Sequence, residues 1–386
     1  MLLIANAALL TAEARQPSGP VNVLLDGEHI TRVEPAGANS QPAGVEIFDA
    51  AGLYLAPGFI DLQINGGFGH DFTLDPESIW AVAAGLPRFG VTSFLPTIIS
   101  SPAETVRAAQ AAWRRGPPAE QPGAQALGLH LEGPFLNRLK RGAHNPEHLR
   151  APDLDLARGW SLAAGVCLVT LAPELPGALE VARQLAAQGV LVSAGHSMAT
   201  VEQAQAGFAA GIRYGTHLFN AMPPLEHRAP GLAGALLADP EVAIGVIADG
   251  VHLHPAALAL AWQAKKPLGL TLVSDAMAAM GMPPGRYQLG DYEVIVDASA
   301  ARLPDGRLAG SRLSLDEALR HFIAATGCTQ AEAGATVTTA PARLLGLPDR
   351  GRVAPGCRAD LVLLTRGMHV AATWVAGRLL FEAERN

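Results

Sequence analysis

Four short segments each carry a metal-ligating or proton-carrying side chain to the end of an apolar run. Gly128-Leu129-His130-Leu131-Glu132-Gly133-Pro134 brings Glu132 to the end of one run, and Ser193-Ala194-Gly195-His196-Ser197 does the same for His196. Gly215-Thr216-His217-Leu218-Phe219-Asn220-Ala221-Met222 carries His217, and Val273-Ser274-Asp275-Ala276-Met277 carries Asp275. Imidazole and carboxylate together suit a divalent transition metal. Three such ligands leave a position for water, whose pKa zinc can lower to about 7, and a fourth group can accept its proton. Taken singly, each residue has a plainer reading. A histidine in an apolar run is more often a hydrogen-bonded structural residue, and Asp275 could cap the next segment. Four together at strand ends, where interior positions favour apolar side chains, are better explained by a shared site.

Other segments weigh less. His252-Leu253-His254 has the spacing of a metal pair, but Pro255 opens a helix, so the segment reads as loop. His252 is expected to touch substrate and His254 to lie on the surface. Arg228 follows the His217 run and could bind an anion bidentately, or be a solvated loop cation. Lys140-Arg141-Gly142-Ala143-His144 is a basic loop that puts His144 within reach of the same mouth. Gly66-Gly67-Phe68-Gly69 matches no phosphate-loop pattern.

Elements must position these groups. Eight strand-like runs occur: Pro57 to Asn65, Val91 to Thr97, Ala126 to Glu132, Val166 to Ala172, Val190 to His196, Tyr214 to Asn220, Val242 to Asp249 and Leu270 to Asp275. Alanine-rich helical stretches separate most of them, such as Ala103 to Arg114, Ala178 to Gln188 and Pro255 to Lys265. Eight β-then-α units predict an α/β fold, a (β/α)8 TIM-type barrel whose site lies at the C-terminal ends of the strands. The last unit differs: Met282 to Gly310 reads as a hairpin insertion before a helix over Leu313 to Ala325. At the start, Leu2 to Leu10, Val21 to Leu25 and Val45 to Phe48 read as strands, and so do Asp360 to Leu364 and Thr373 to Phe381 at the end. These would pair as a small β-sandwich domain built from both termini, residues 1–55 and 350–386, with the barrel over 56–349.

Composition agrees with a large folded core. Of 386 residues, 49% are hydrophobic, which excludes intrinsic disorder. With 28 Lys and Arg against 35 Asp and Glu, the net charge of −7 argues against nucleic-acid binding. Cys167, Cys328 and Cys357 are far apart, which excludes a disulfide scaffold or thiolate zinc cluster and suggests a reducing compartment. The opening run to Ala12-Glu13-Ala14 looks like a cleavable leader. It lacks basic residues before Arg15 and is too short to span a membrane, so it reads as a strand in a cytoplasmic protein without membrane partners.

The residues together bear a resemblance. Leu55-Ala56-Pro57-Gly58-Phe59-Ile60-Asp61 resembles the entry to the first barrel strand of the amidohydrolase superfamily. His130-Leu131-Glu132-Gly133-Pro134-Phe135, Ala194-Gly195-His196-Ser197, Thr216-His217-Leu218-Phe219-Asn220-Ala221-Met222 and Ser274-Asp275-Ala276-Met277 together resemble one family within it, the N-acetylglucosamine-6-phosphate deacetylases, over nearly the whole chain. The resemblance implies that Glu132, His196 and His217 hold the metal and that Asp275 is the catalytic base and then acid. It implies that His144 polarises the amide carbonyl. Asn220, Ala221, Arg228 and His252 would bind the sugar phosphate, with Ala143, Leu308, Ala309 and Gly310 as further substrate contacts. Many superfamily members carry His-x-His at the end of the first strand. Here those positions are Gln63 and Asn65, and the fourth run, Cys167 to Glu174, has no lysine for a bridging carbamate. One divalent metal per subunit is therefore expected: zinc first, with iron, manganese or cobalt also accepted by these ligands. The family also implies a homodimer or higher homo-oligomer, in which a partner subunit could complete the phosphate site. Two other readings compete. The same fold could hydrolyse N-acyl amino acids or cyclic amides, or could be a non-catalytic scaffold; intact ligands argue against the scaffold.

Overall fold

The computed structural model describes residues 1–11, 19–37 and 44–384; the Ala12-Glu13-Ala14 segment lies outside them. Eight parallel strands form the barrel, labelled here in chain order: β1 (Phe59–Ile64), β2 (Val91–Ile99), β3 (Leu129–Glu132), β4 (Val166–Leu171), β5 (Leu191–Ala194), β6 (Ile212–Gly215), β7 (Ala243–Val246) and β8 (Leu270–Leu272). Each pairs with the next in sequence order, β1 with β2 through to β7 with β8. A parallel bridge between Ile64 and Ala276 closes the ring, supported by Asp275 N–H donating to Gln63 O at 2.9 Å. β1, β2, β3, β4, β7 and β8 are buried along their whole length, as strands covered by helices on one face and packed side chains on the other must be.

Helices complete the outer layer. Ala103–Arg115 turns Val106, Ala109, Gln110 and Ala112 inward at helical spacing, and its Trp113 indole donates to Ala126 O at 3.0 Å. Ala178–Ala187 buries Ala178, Val181, Ala182 and Leu185 in the same way. Pro255–Gly269 starts on Pro255, with His254 accepting from Ala256 N–H, and kinks at Lys266, the residue before Pro267. Leu315–Thr326, Gln330–Val337 and Thr339–Leu344 follow.

Both termini build the second unit. Leu2–Leu9 pairs with Val21–Asp26 from Leu2 as far as Ala7, with Glu46–Asp49 through its first half, and with Tyr54–Pro57 at Ala8 and Leu9. Tyr54–Pro57 pairs in turn with Leu361–Leu364, which continues to Val370–Val375 and Arg378–Glu382. The two halves enclose a core of Ile4, Val21, Val23, Leu55, Leu361, Leu363 and Trp374, with Phe48 edge-on to Trp374 at 5.0 Å.

Some boundaries differ from the pattern. The run from Pro57 to Asn65 divides: Pro57 closes the terminal-sheet strand and the barrel strand begins at Phe59. Gly58 is the joint, because a Cβ there would lie 2.1 Å from Thr92 Oγ1. The fifth to eighth strands stop at Ala194, Gly215, Val246 and Leu272, earlier than their apolar runs. The 282–310 insertion is a three-stranded antiparallel sheet, Gly285–Leu289, Tyr292–Val296 and Ala301–Arg302.

Candidate active site

Alternation along β3 points both His130 and Glu132 into the barrel. His130 lies below, between Thr97 Oγ1 at 3.2 Å and Thr170 Oγ1 at 2.8 Å. Hydroxyl contacts continue from Thr170 to Thr216 at 2.7 Å and from Thr216 to Ser193 at 2.6 Å. This buried polar layer is hydrogen-bonded throughout and forms the floor of the site. His196, His217 and Asp275 do not end strands; they lie two or three residues beyond, each in left-handed backbone with φ of 49°, 30° and 46°.

Those turns bring the side chains together. Glu132 Oε1 lies 3.2 Å from His196 Nε2 and 3.0 Å from His217 Nε2, and the two Nε2 atoms are 3.0 Å apart. His196 Nδ1–H donates to Lys140 O at 2.8 Å. A neutral His196 ring therefore presents a lone pair at Nε2. Lone pairs of one carboxylate and two imidazoles converging at such distances repel unless a cation lies among them. Their separations approach the ~3.4 Å edge of a tetrahedron with metal–ligand distances of ~2.1 Å. The donor set thus fits a divalent metal, and among the described residues it is the cluster of His, Cys, Asp or Glu groups close enough to share one. Burial pushes the Glu132 carboxyl up, but the surrounding imidazoles of His144, His196 and His217 outweigh it and hold it well below the usual range. Burial also lowers His196, with the neighbouring His144 acting in the same direction. The buried His217 Nδ1 has no partner among the described residues.

Asp275 stands beside this tripod. Its Oδ1 accepts from Gln63 Nε2 at 3.0 Å and Asn65 Nδ2 at 2.8 Å, and Gln63 Nε2 also reaches Glu132 Oε1 at 3.1 Å. The amides at the two positions of the superfamily's His-x-His therefore hold the carboxylates in place. Burial and the nearby Glu132 charge push the Asp275 carboxyl up to about 6. On the other side, Ser100 N–H donates to His144 Nδ1 at 3.2 Å, so a neutral His144 carries its proton on Nε2. That Nε2 lies 3.6 Å from Glu132 Oε2, inside the site.

A cleft with about 610 Å³ of free space opens over these groups. Of the residues singled out from sequence, Glu132, Ala143, His144, His196, His217, Asn220, Ala221, His252, Asp275, Leu308 and Gly310 line it. Ala309 is buried in the apolar cluster behind Leu308 and Gly310. Arg228 is exposed and does not line the cleft, and His254 is also exposed. The pattern did not single out Asp249. Its Oδ2 accepts from His252 Nδ1 at 2.7 Å, and its Oδ1 from the Val251 and His252 amides. An Asp-Gly-x-His turn is the sequence signal that could have found it. Ile99, Ile247 and Leu289 were missed as lining residues; they carry no chemical signature.

The barrel, the terminal sheet and the site at the strand ends define a class. The chain belongs to the Amidohydrolase family, whose sequence model matches residues 54–380. Its relatives are more particular. It is 44% identical over 353 residues to the human N-acetylglucosamine-6-phosphate deacetylase, covering 87% of this chain and 85% of that one. It is 40% identical over 366 residues to the N-acetylgalactosamine-6-phosphate deacetylase of Escherichia coli O157:H7, covering 92% and 95%. Among solved structures, the N-acetyl-D-glucosamine-6-phosphate deacetylase from Mycobacterium smegmatis superposes with a TM-score of 0.89 at 33% identity, over 99% of this chain and 100% of that one.

Proposed function

We propose that this chain removes the N-acetyl group of N-acetylglucosamine 6-phosphate, giving glucosamine 6-phosphate and acetate. The observation that carries the reading is Asp275, a buried carboxylate held by two amides beside the Glu132–His196–His217 tripod. Glu132, His196 and His217 would hold a divalent cation, zinc first among the metals they accept, and that cation would supply Lewis acidity to bound water and to the amide carbonyl. Asp275 takes the proton from the attacking water. Its two amide donors both bind Oδ1, which leaves Oδ2 free of hydrogen-bond partners among the described residues. His144 Nε2–H donates to the carbonyl oxygen as negative charge develops there. Asp275 then delivers its proton to the departing sugar amine, the C–N bond breaks and acetate is released. His252, aimed by Asp249, binds the phosphate end with Asn220 and Ala221, while Ala143, Leu308 and Gly310 line the sugar's path and Ala309 backs them.

Arg228 belongs to the same phosphate site in an assembled homo-oligomer, where a partner subunit completes it; its exposure outside the cleft supports that reading. One metal per subunit accords with amides at Gln63 and Asn65. A cytoplasmic setting accords with Cys167, Cys328 and Cys357, all buried and unpaired. We divide the chain into a terminal domain over 1–55 and 350–386 and a barrel over 56–349.

Acetate release is the test, measured on N-acetylglucosamine 6-phosphate beside the unphosphorylated sugar. Release from the phosphate ester at a far higher kcat/KM is expected, and equal rates would remove the phosphate site. The galactosamine epimer is the second reading, favoured by the Escherichia coli relative. A kcat/KM higher for N-acetylgalactosamine 6-phosphate would select it.

A further inference from the structure

One wall of the cleft has no part in metal binding, proton transfer or phosphate recognition. Ile99 and Leu289 line it, both almost fully buried at 5% and 3% exposure. Ile99 ends β2, and Leu289 ends the first strand of the 285–302 insertion. Asn220 and His252, by contrast, follow β6 and β7. The order of strands around the barrel therefore puts Ile99 across the mouth from these phosphate-end groups, and packing of the insertion turn against Ile99 brings Leu289 to the same side.

The wall is built to stay in place. Ile99 and Leu289 belong to one apolar cluster with Met277, Val294 and Leu303. Ile99 N–H donates to Thr73 Oγ1 at 3.2 Å, and Gly290 N–H donates to Asp71 Oδ2 at 3.2 Å. At the hairpin turn, Asp291 Oδ2 accepts from Asn145 Nδ2 at 2.5 Å and His148 Nε2 at 2.8 Å. Gly290 has φ of +52°, and a Cβ there would lie 2.9 Å from Ile99 Cδ1, so the turn is pressed onto Ile99. A tied, close-packed surface cannot recede to admit a larger group without strain.

We infer that Ile99 and Leu289 form the acyl-binding wall and limit the substrate's acyl group to acetyl. This rests on the amide hydrolysis proposed above. The carbonyl carbon of an acetamide carries the sugar nitrogen on one side and the methyl on the other. With the carbonyl held between the tripod, His144 and Asp275, and the sugar phosphate directed toward β6 and β7, the methyl faces the β1–β2 side. There it meets Ile99 and Leu289, which offer it apolar contact and no hydrogen bond.

The test compares the N-acetyl, N-propionyl and N-butyryl derivatives of glucosamine 6-phosphate, using the metal-loaded full chain. A single methylene against an apolar pocket is worth about 10- to 200-fold in discrimination. The wild type is expected to lose at least about tenfold in kcat/KM with each added carbon. Leu289→Ala and Ile99→Ala are each expected to raise the butyryl-to-acetyl ratio about tenfold or more. Val23→Ala, in the separate core of the terminal sheet, should leave the ratio where it was. The milder Leu289→Val and Ile99→Val keep the comparison available if the alanine variants do not fold. A wild type indifferent to acyl length, or a ratio unmoved in folded Leu289 and Ile99 variants, overturns the inference. A wild type that hydrolyses none of the three overturns the deacetylase reading itself, a result distinct from either.

Discussion

Asp275 carries the most testable chemistry at the scale of single residues. Asp275→Asn keeps the shape and the hydrogen bonds to a neighbouring amide but cannot take a proton, so kcat is expected to fall by about 10²- to 10⁴-fold with metal content unchanged. A variant near full rate would remove Asp275 as the base. The pH profile checks the same role. The base works ionised, so activity rises as pH climbs through its pKa, about 6 before a cation on the tripod draws it lower. The acid limb is therefore expected at or below pH 6, and one above pH 7 would contradict the assignment. The chemically distinctive residues were legible because histidine and carboxylate are unusual at the end of an apolar strand. Ile99 and Leu289 were not, since isoleucine and leucine look the same in a core and in a substrate wall. Asp249 was passed over because its role depends on a turn that brings Oδ2 to the His252 ring.

Elements were legible as a pattern and less so at their edges. The alternation of apolar runs with alanine-rich stretches carries the barrel. An apolar run, however, keeps going when a strand ends and the chain turns inward at the mouth, as in Gly215-Thr216-His217-Leu218, where the ladder stops at Gly215 but Leu218 stays buried. Nothing in Leu55-Ala56-Pro57-Gly58-Phe59 separates two sheets except the glycine. Its absent side chain lets the terminal sheet and the first barrel strand meet against Thr92. Gly58→Ala is expected to destabilise the fold by about 2 kcal/mol or more through that overlap, read as a lower denaturant midpoint. Gly19→Ala, where a Cβ would meet nothing within 4 Å among the described residues, is the control and should leave the midpoint almost unchanged.

At the scale of the whole molecule, the tripod is tied to stability as well as chemistry. Lone pairs from Glu132, His196 and His217 are pressed together in the native state alone, so a cation that relieves them binds the folded form preferentially. With metal at about 100 times its Kd, the stabilisation is about 2.7 kcal/mol, and chelation is expected to lower Tm by about 3 °C. Re-addition of metal should restore it, and identical melting of loaded and chelated protein would count against the tripod as a metal site. The pairing of the terminal segments was legible only as like composition at the two ends, because no local signal joins partners so far apart. Leu55 pairs with Leu363 and Ala56 with Val362, across the whole length of the barrel. That pairing sets an order of events during synthesis. The N-terminal strands of the terminal sheet, Leu2–Leu9 to Tyr54–Pro57, leave the ribosome early and cannot complete their sheet until the last segment has been made. The barrel, built from neighbours in sequence, can close while translation continues. The edge of Tyr54–Pro57 must therefore stay unpaired through most of translation, so a stalled or truncated chain presents a formed barrel with an open, apolar strand edge. Such a product invites aggregation or capture by a chaperone more than slow unfolding.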